Sequence, residues 1–262
     1  MIKFFRKIRY VLMEKNKTGK YFKYAVGEII LVVIGILIAL QVNDWNQNHK
    51  LKSLEIEILN YFKSSLLIDM KDYNNTIKRG NNAKNSMDII LTHLENDLPY
   101  SDSLKFHFGN ITDTWTTGIN RSVFESLKSE GLSIISNKDL RIEIVKLYDG
   151  LSIGQKERSV RYRDLMDEAS TNILTTRFDE LWKSNYEDWS NRNNFGDAYY
   201  NALSIQGEMI PIDFEKLKMD QEFLYFLKSL KNRQFWFLRH DNNSVLIAIK
   251  NVLEKIDIEL DK

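Results

Sequence analysis

The chain has 262 residues, 43% of them hydrophobic and 28% charged, with 37 basic side chains against 36 acidic ones and no cysteine. A chain of this length and mix can bury a real core as one or two domains, which excludes a disordered polymer and a disulfide mini-protein. Without cysteine there is no disulfide framework, thiolate zinc site, iron–sulfur cluster or cysteine nucleophile.

The balanced charge conceals a basic tip. Residues 1–24 hold eight Lys or Arg and a single acid, Glu14, so the remainder is mildly acidic. In the opening MIKFFRKIRYVLM, Ile2, Phe5, Ile8 and Leu12 recur at helical spacing among Lys3, Arg6 and Lys7. Two readings stand: a short helix lying in a lipid interface, or a simple basic flank. Either way segment 1–24 is too small to fold as a catalytic or DNA-binding domain.

Residues 25–42, AVGEIILVVIGILIALQV, contain twelve Ile, Leu or Val and one charge, Glu28. Eighteen helical residues rise roughly 27 Å, close to the roughly 30 Å of a bilayer's hydrocarbon. At about −0.3 to −0.6 kcal/mol per aliphatic residue at mid-depth the twelve contribute roughly −5 kcal/mol. Glu28 sits one turn from the basic end, within reach of the headgroups, so its cost stays below the mid-bilayer figure. Tyr21, Phe22 and Tyr24 on one side and Trp45 on the other supply interfacial rings. The expectation is a transmembrane helix over 25–42, retained as an anchor rather than cleaved. Eight Lys or Arg precede it, and only Lys50 and Lys52 fall in the first dozen residues after it. The positive-inside rule therefore puts the amino terminus in the cytoplasm and residues 43–262 outside it. Within the span, Gly27, Glu28, Gly35 and Ala39 are the candidate helix contacts, since small residues let two helices approach and would support a homodimer.

Beyond Trp45, Leu51, Leu54, Ile58, Phe62 and Leu66 mark an amphipathic helix running toward Gly80, and Met87, Ile90, Leu91 and Leu94 mark a second stripe before Pro99. Ser103 to Phe108 reads as a short helical turn. Ser122 with Glu125 has capping-box spacing, and Gly131 is the expected stop. Ser136 and Asp139 are the expected start of the next helix, with Gly150 and Gly154 marking a kink or break. Asn185 to Pro211 reads as a polar connection with a short helix near Ala198 to Leu203. From Asp220 onward the stripe of Leu224, Leu227, Leu230, Leu238, Val245, Ile249, Val252, Ile256 and Leu260 predicts one or two long helices. Strand alternation is nearly absent. The fold class is thus all-α: an N-terminal transmembrane helix followed by an antiparallel helical bundle.

No catalytic, cofactor-binding or metal motif is present. His49, His93, His107 and His240 form no pair at ligand spacing, and G-x-S-x-G, G-x-G-x-x-G and H-E-x-x-H are missing. The rings around Trp182, Tyr186, Trp189, Tyr199 and Tyr200, and the Phe235-Trp236-Phe237 run, have two readings. They pack a core, or they stack on a glycan or peptide. The acidic body argues against nucleic acid. The Asn-x-Ser/Thr sequons at Asn74, Asn110, Asn120 and Asn242 are chance matches in an Asn-rich chain.

The first 46 residues, above all Gly27-Glu28-Ile29, Gly35 to Leu40 and Asn43-Asp44-Trp45-Asn46, together with the stretch NRSVFESLKSEGLSIISNKDL from Asn120 to Leu140, resemble an uncharacterised family of single-pass membrane proteins of Bacteroidetes-type bacteria, a domain of unknown function. The resemblance implies an inner-membrane anchor with a periplasmic helical domain, and it supplies no catalytic residue. The surface singled out on this block is Arg121, Ser122, Phe124, Glu125, Lys128 and Gly131, for which a capped helix and its stop is the simpler account. The functional expectation is a membrane-anchored interaction or sensory module, contacting membrane lipid and a protein partner or envelope component. The alternatives are an envelope hydrolase or transferase whose site forms only in the fold, and a structural subunit of a membrane complex.

Overall fold

The computed structural model describes residues 10, 18–112, 117–181 and 207–262. The chain divides into two compact units, Met1–Glu57 and Ile58–Lys262. Helix α1 (Thr18–Glu95) contributes to both. In the first unit, an 18-residue window of α1 has a mean hydropathy of 2.3 and none of it is buried; among the described residues this is the one candidate membrane span. Every residue from Ile29 to Val42 is exposed.

The second unit is helical throughout its named elements: α1 from Ile58, α2 (Leu104–Ile111), α3 (Ser122–Glu130), α4 (Lys138–Val145), α5 (Ser152–Asn172), α6 (Phe214–Lys218), α7 (Gln221–Trp236) and α8 (Asn243–Leu260). A π-helical turn, Lys146–Leu151, joins α4 to α5, and a second, Phe237–Asn242, joins α7 to α8. Among the described residues there is no strand, only an isolated bridge between Phe178 and Pro211.

Cross-links between helices fix their directions. Lys63 pairs with Asp257 at 2.8 Å, Asp88 with Lys231, and Glu95 with Lys228 at 2.5 Å, so α7–α8 runs antiparallel to α1. Glu143 meets Lys255 at 2.6 Å and the ring of Tyr162 stacks on Phe237 at 5.7 Å, so α4–α5 is also antiparallel to α7–α8. Phe62 meets Tyr148, and Tyr73 meets Gln155, so α1 and α4–α5 run the same way. The result is a bundle of three long helical runs with one pair parallel, closed by the crossover that carries α2 and α3.

Apolar positions three and four apart on α1 face inward at both ends of its stretch in this unit, Leu59, Phe62 and Leu66 at one and Met87, Ile90 and Leu94 at the other, with the buried Asp69, Tyr73 and Thr76 between them. One end of the core gathers Phe108, Phe178 and Phe223, whose ring centres lie 5.0 to 6.3 Å apart in tilted contacts. At the other end Phe124, Leu140, Ile144 and Leu147 are buried, as are Val245, Ile249 and Ile256 of α8.

Several local expectations are corrected. The stripes before and after Gly80 belong to one helix, and Gly80 packs within it against α7 and the π turn that follows. An added Cβ there would collide with the side chains of Leu238 and Gln234. Helix α4 is capped not by Ser136 but by Asn137, whose side chain accepts from the N–H groups of Asp139 and Leu140. Gly150 lies inside the first π turn, whereas Gly154 continues within α5. Asp220 does start α7, accepting from Phe223 N–H at 3.0 Å. The helix expected near Ala198 to Leu203, and the rings from Trp182 to Tyr200, lie outside the described residues.

Candidate functional site

Four of the six residues singled out on the Asn120–Leu140 block come together at the start of α3. Arg121 Nη2 reaches Glu125 Oε1 and Asp149 Oδ1, both at 2.7 Å, and its Nη1 donates to the Tyr148 carbonyl. Lys128 lies 3.5 Å from Asp149 and 4.0 Å from Glu125. Phe124 is fully buried beneath them, stacked on Tyr148 with ring centres 4.7 Å apart and planes at 11°. Both cations sit over the Phe124 ring, Arg121 at 5.3 Å and Lys128 at 5.4 Å from its centre. The hydrogen bond from Arg121 holds the Asp149 carboxyl below the usual carboxylate range, with Lys128 adding to the effect.

The other two residues have local roles. Ser122 does not form the capping box. Its N–H and hydroxyl both donate to Asn120 Oδ1, at 3.0 and 2.7 Å, and Glu125 turns to Arg121 instead. Gly131 ends α3 at φ +117°, its N–H donating to Leu127 O at 2.9 Å, a conformation that favours glycine.

The first π turn explains why Arg121 finds a backbone acceptor. Ser152 N–H bonds to Leu147 O, five residues back, so the Tyr148 carbonyl loses its usual helical partner. Ser152 Oγ at 2.7 Å and Arg121 Nη1 take its place. The turn also places the Tyr148 side chain wholly in the core, where its hydroxyl has no hydrogen-bond partner among the described residues.

Below the surface cluster lies a polar network that the sequence did not flag. Asp69 is only 4% exposed, and its two carboxylate oxygens receive the backbone N–H of Asn120 at 3.2 and 3.3 Å. Burial pushes its pKa up to about 6; the Asn120 N–H opposes this and the nearby Asp72 adds to it. Tyr73 donates to Gln155 Oε1 at 3.3 Å. The Gln155 amide is shared among Thr117 O, Ser159 Oγ and Asn242 Oδ1, at 3.1, 3.1 and 3.2 Å. Asn242 comes from the second π turn, so the two irregular turns flank one network. Asn242 is also fully buried, which closes its sequon to a glycan.

Elsewhere, Gly27, Gly35 and Ala39 are exposed on α1, with nothing within 4 Å of a Cβ added at either glycine, and Glu28 is partly buried. His107 Nδ1 lies 3.0 Å from Ser86 Oγ, and burial, with His93 nearby, lowers its pKa. Among the described residues no three His, Asp or Glu side chains gather as a metal site.

Residues 28–173 match a family described as "Family of unknown function (DUF6090)". The chain belongs to this family. The DUF6090 match takes in the candidate span, the Arg121 cluster, the first π turn and α5, and leaves α7 and α8 beyond it. No curated protein and no solved structure matches the chain.

Proposed function

We propose that this DUF6090 protein is a single-pass, membrane-anchored interaction or sensory module. Its basic amino terminus lies in the cytoplasm, its span crosses the bacterial cell membrane, and its helical body is periplasmic. The observation that carries the reading is the unbroken exposure of Ile29 to Val42 on a helix that also supplies the core of the second unit. So large an apolar surface is costly in water and favourable in lipid. The eight Lys and Arg of residues 1–24 support the orientation. The Arg121–Phe124–Glu125–Lys128 cluster, held from beneath by Asp69 and Tyr148, is a fixed charged surface suited to a protein partner or envelope component.

The test has two parts. A carboxyl-terminal alkaline phosphatase fusion is expected to be active while a cytosol-restricted fluorescent fusion stays dark; the reverse pattern removes the periplasmic assignment. Gentle purification from native membranes is expected to recover a stoichiometric partner that Arg121→Glu with Lys128→Glu releases. A partnerless monomer counts against the module.

A further inference from the structure

Away from the Arg121 cluster, α5 and the end of α7 enclose an open cavity of about 320 Å³, within the ordinary range of roughly 300–1,000 Å³ for small-ligand sites. Its floor is aromatic: Tyr162 and Phe237 stack in parallel, 5.7 Å apart at 7°, and both are almost wholly buried. At its rim the Trp236 indole is 61% exposed, braced edge-on by Phe235 at 5.7 Å. Arg158, Arg161 and Arg233 also line it, and among the described residues no carboxylate does.

A large exposed indole beside guanidinium groups is an unusual use of surface. Trp236 gains little from folding at that exposure, whereas its flat face is available to a ring laid against it. Arg161 pairs with Glu157 at 3.8 Å with both side chains mostly exposed, a contact worth little and readily exchanged. Guanidinium groups bind carboxylate and phosphate through paired N–H donors, and aromatic faces bind the C–H face of a pyranose. The cavity presents both within one small volume. It is too short a basic tract to track a nucleic-acid backbone.

We infer that this cavity binds an acidic sugar unit of an oligosaccharide, its carboxylate or phosphate held by Arg161 and Arg233 and its ring laid against Trp236. The inference deepens the module reading and rests on it only for where such a saccharide would be met. The chemistry itself is a property of the body and is measured without reference to topology.

The experiment titrates the full-length protein, in phosphatidylcholine nanodiscs at fixed ionic strength, with trigalacturonate, glucose 6-phosphate and neutral maltotriose. At least one acidic sugar is expected to bind about tenfold or more tighter than maltotriose, a difference of about 1.4 kcal/mol. The better of the two identifies carboxylate or phosphate as the recognised group. Arg161→Ala with Arg233→Ala, and separately Trp236→Ala, are each expected to weaken binding about tenfold, while Arg239→Ala leaves it unchanged. Circular dichroism and Tm confirm that the variants fold, which the exposure of Arg161 and Trp236 favours. Equal binding of maltotriose, no effect of the substitutions, or equally tight binding of inorganic phosphate or acetate alone would overturn the inference. A failed topology test with intact sugar binding would remove the periplasmic reading and leave this site standing.

Discussion

The backbone N–H of Asn120 points between the two carboxylate oxygens of Asp69, 3.2 and 3.3 Å away, and so ties the segment leading into α3, whose Asn120 side chain accepts from Ser122 N–H, to α1. The tie is made by a buried acid whose pKa is raised to about 6 from 3.8. Between those values the folded chain holds a proton that the unfolded chain has released. The contribution to stability is therefore fully present below about pH 4 and is lost as pH rises through about 6. Asp69→Asn keeps an oxygen acceptor for Asn120 and cannot ionise. It is expected to raise stability by about 1–3 kcal/mol at pH 8 and to change it little below about pH 4, with the gain growing between the two. Tm measured across that range checks this; a uniform effect at all pH values would show that ionisation of Asp69 is not the cause.

Arg121 donates to three acceptors at once, the carboxylates of Glu125 and Asp149 and the Tyr148 carbonyl. Arg121→Ala is expected to cost about 1–2 kcal/mol, and Arg121→Lys to recover only part, because a single ammonium cannot span all three acceptors. Urea unfolding of the body in both variants measures the difference. Equal stability of Arg121→Lys and the wild type would mean that only charge matters there.

How much of this was readable in the sequence follows from how local each cause is. The apolar run to Val42, the core stripe through Ile58, Phe62, Leu66 and Met87, the stop at Gly131 and the beginning of the last helical region at Asp220 depend on neighbours within a turn or two, and local pattern reveals them. The cap of α3 was misread because Ser122 and Glu125 have the right spacing but better partners exist. Asn120 bonds Ser122, and Arg121 draws Glu125 outward. Asp69, Tyr148 and Asn242 were missed because their meeting depends on the register of three helical runs. Gly150 was the one local sign, hinting at an irregularity that the fold realises as a π turn.

Gly80 tests that register directly. With no room for a Cβ against Leu238 and Gln234, Gly80→Ala is expected to destabilise by about 1–3 kcal/mol despite the better helix propensity of alanine. Pairing it with Leu238→Ala is expected to remove most of the penalty, so the double-mutant cycle shows a coupling similar in size to that penalty and opposite in sign. Simple additivity would place the two residues apart.

Tyr73 and Tyr148 are both buried tyrosines beside Asp69, yet they predict opposite outcomes on loss of the hydroxyl. Tyr73 Oη donates to Gln155, so Tyr73→Phe leaves a buried amide oxygen short of a donor and is expected to cost about 1–2 kcal/mol. The Tyr148 hydroxyl has no partner among the described residues, while its ring stacks on Phe124 and meets Phe62 edge-on. Tyr148→Phe keeps both ring contacts and removes a buried hydroxyl, so stability is expected to stay the same or rise by about 1 kcal/mol. Chemical denaturation of the two variants side by side decides it. A loss at Tyr148 as large as that at Tyr73 would show that this hydroxyl is bound in the folded protein, and that the network beneath Arg121 extends through it.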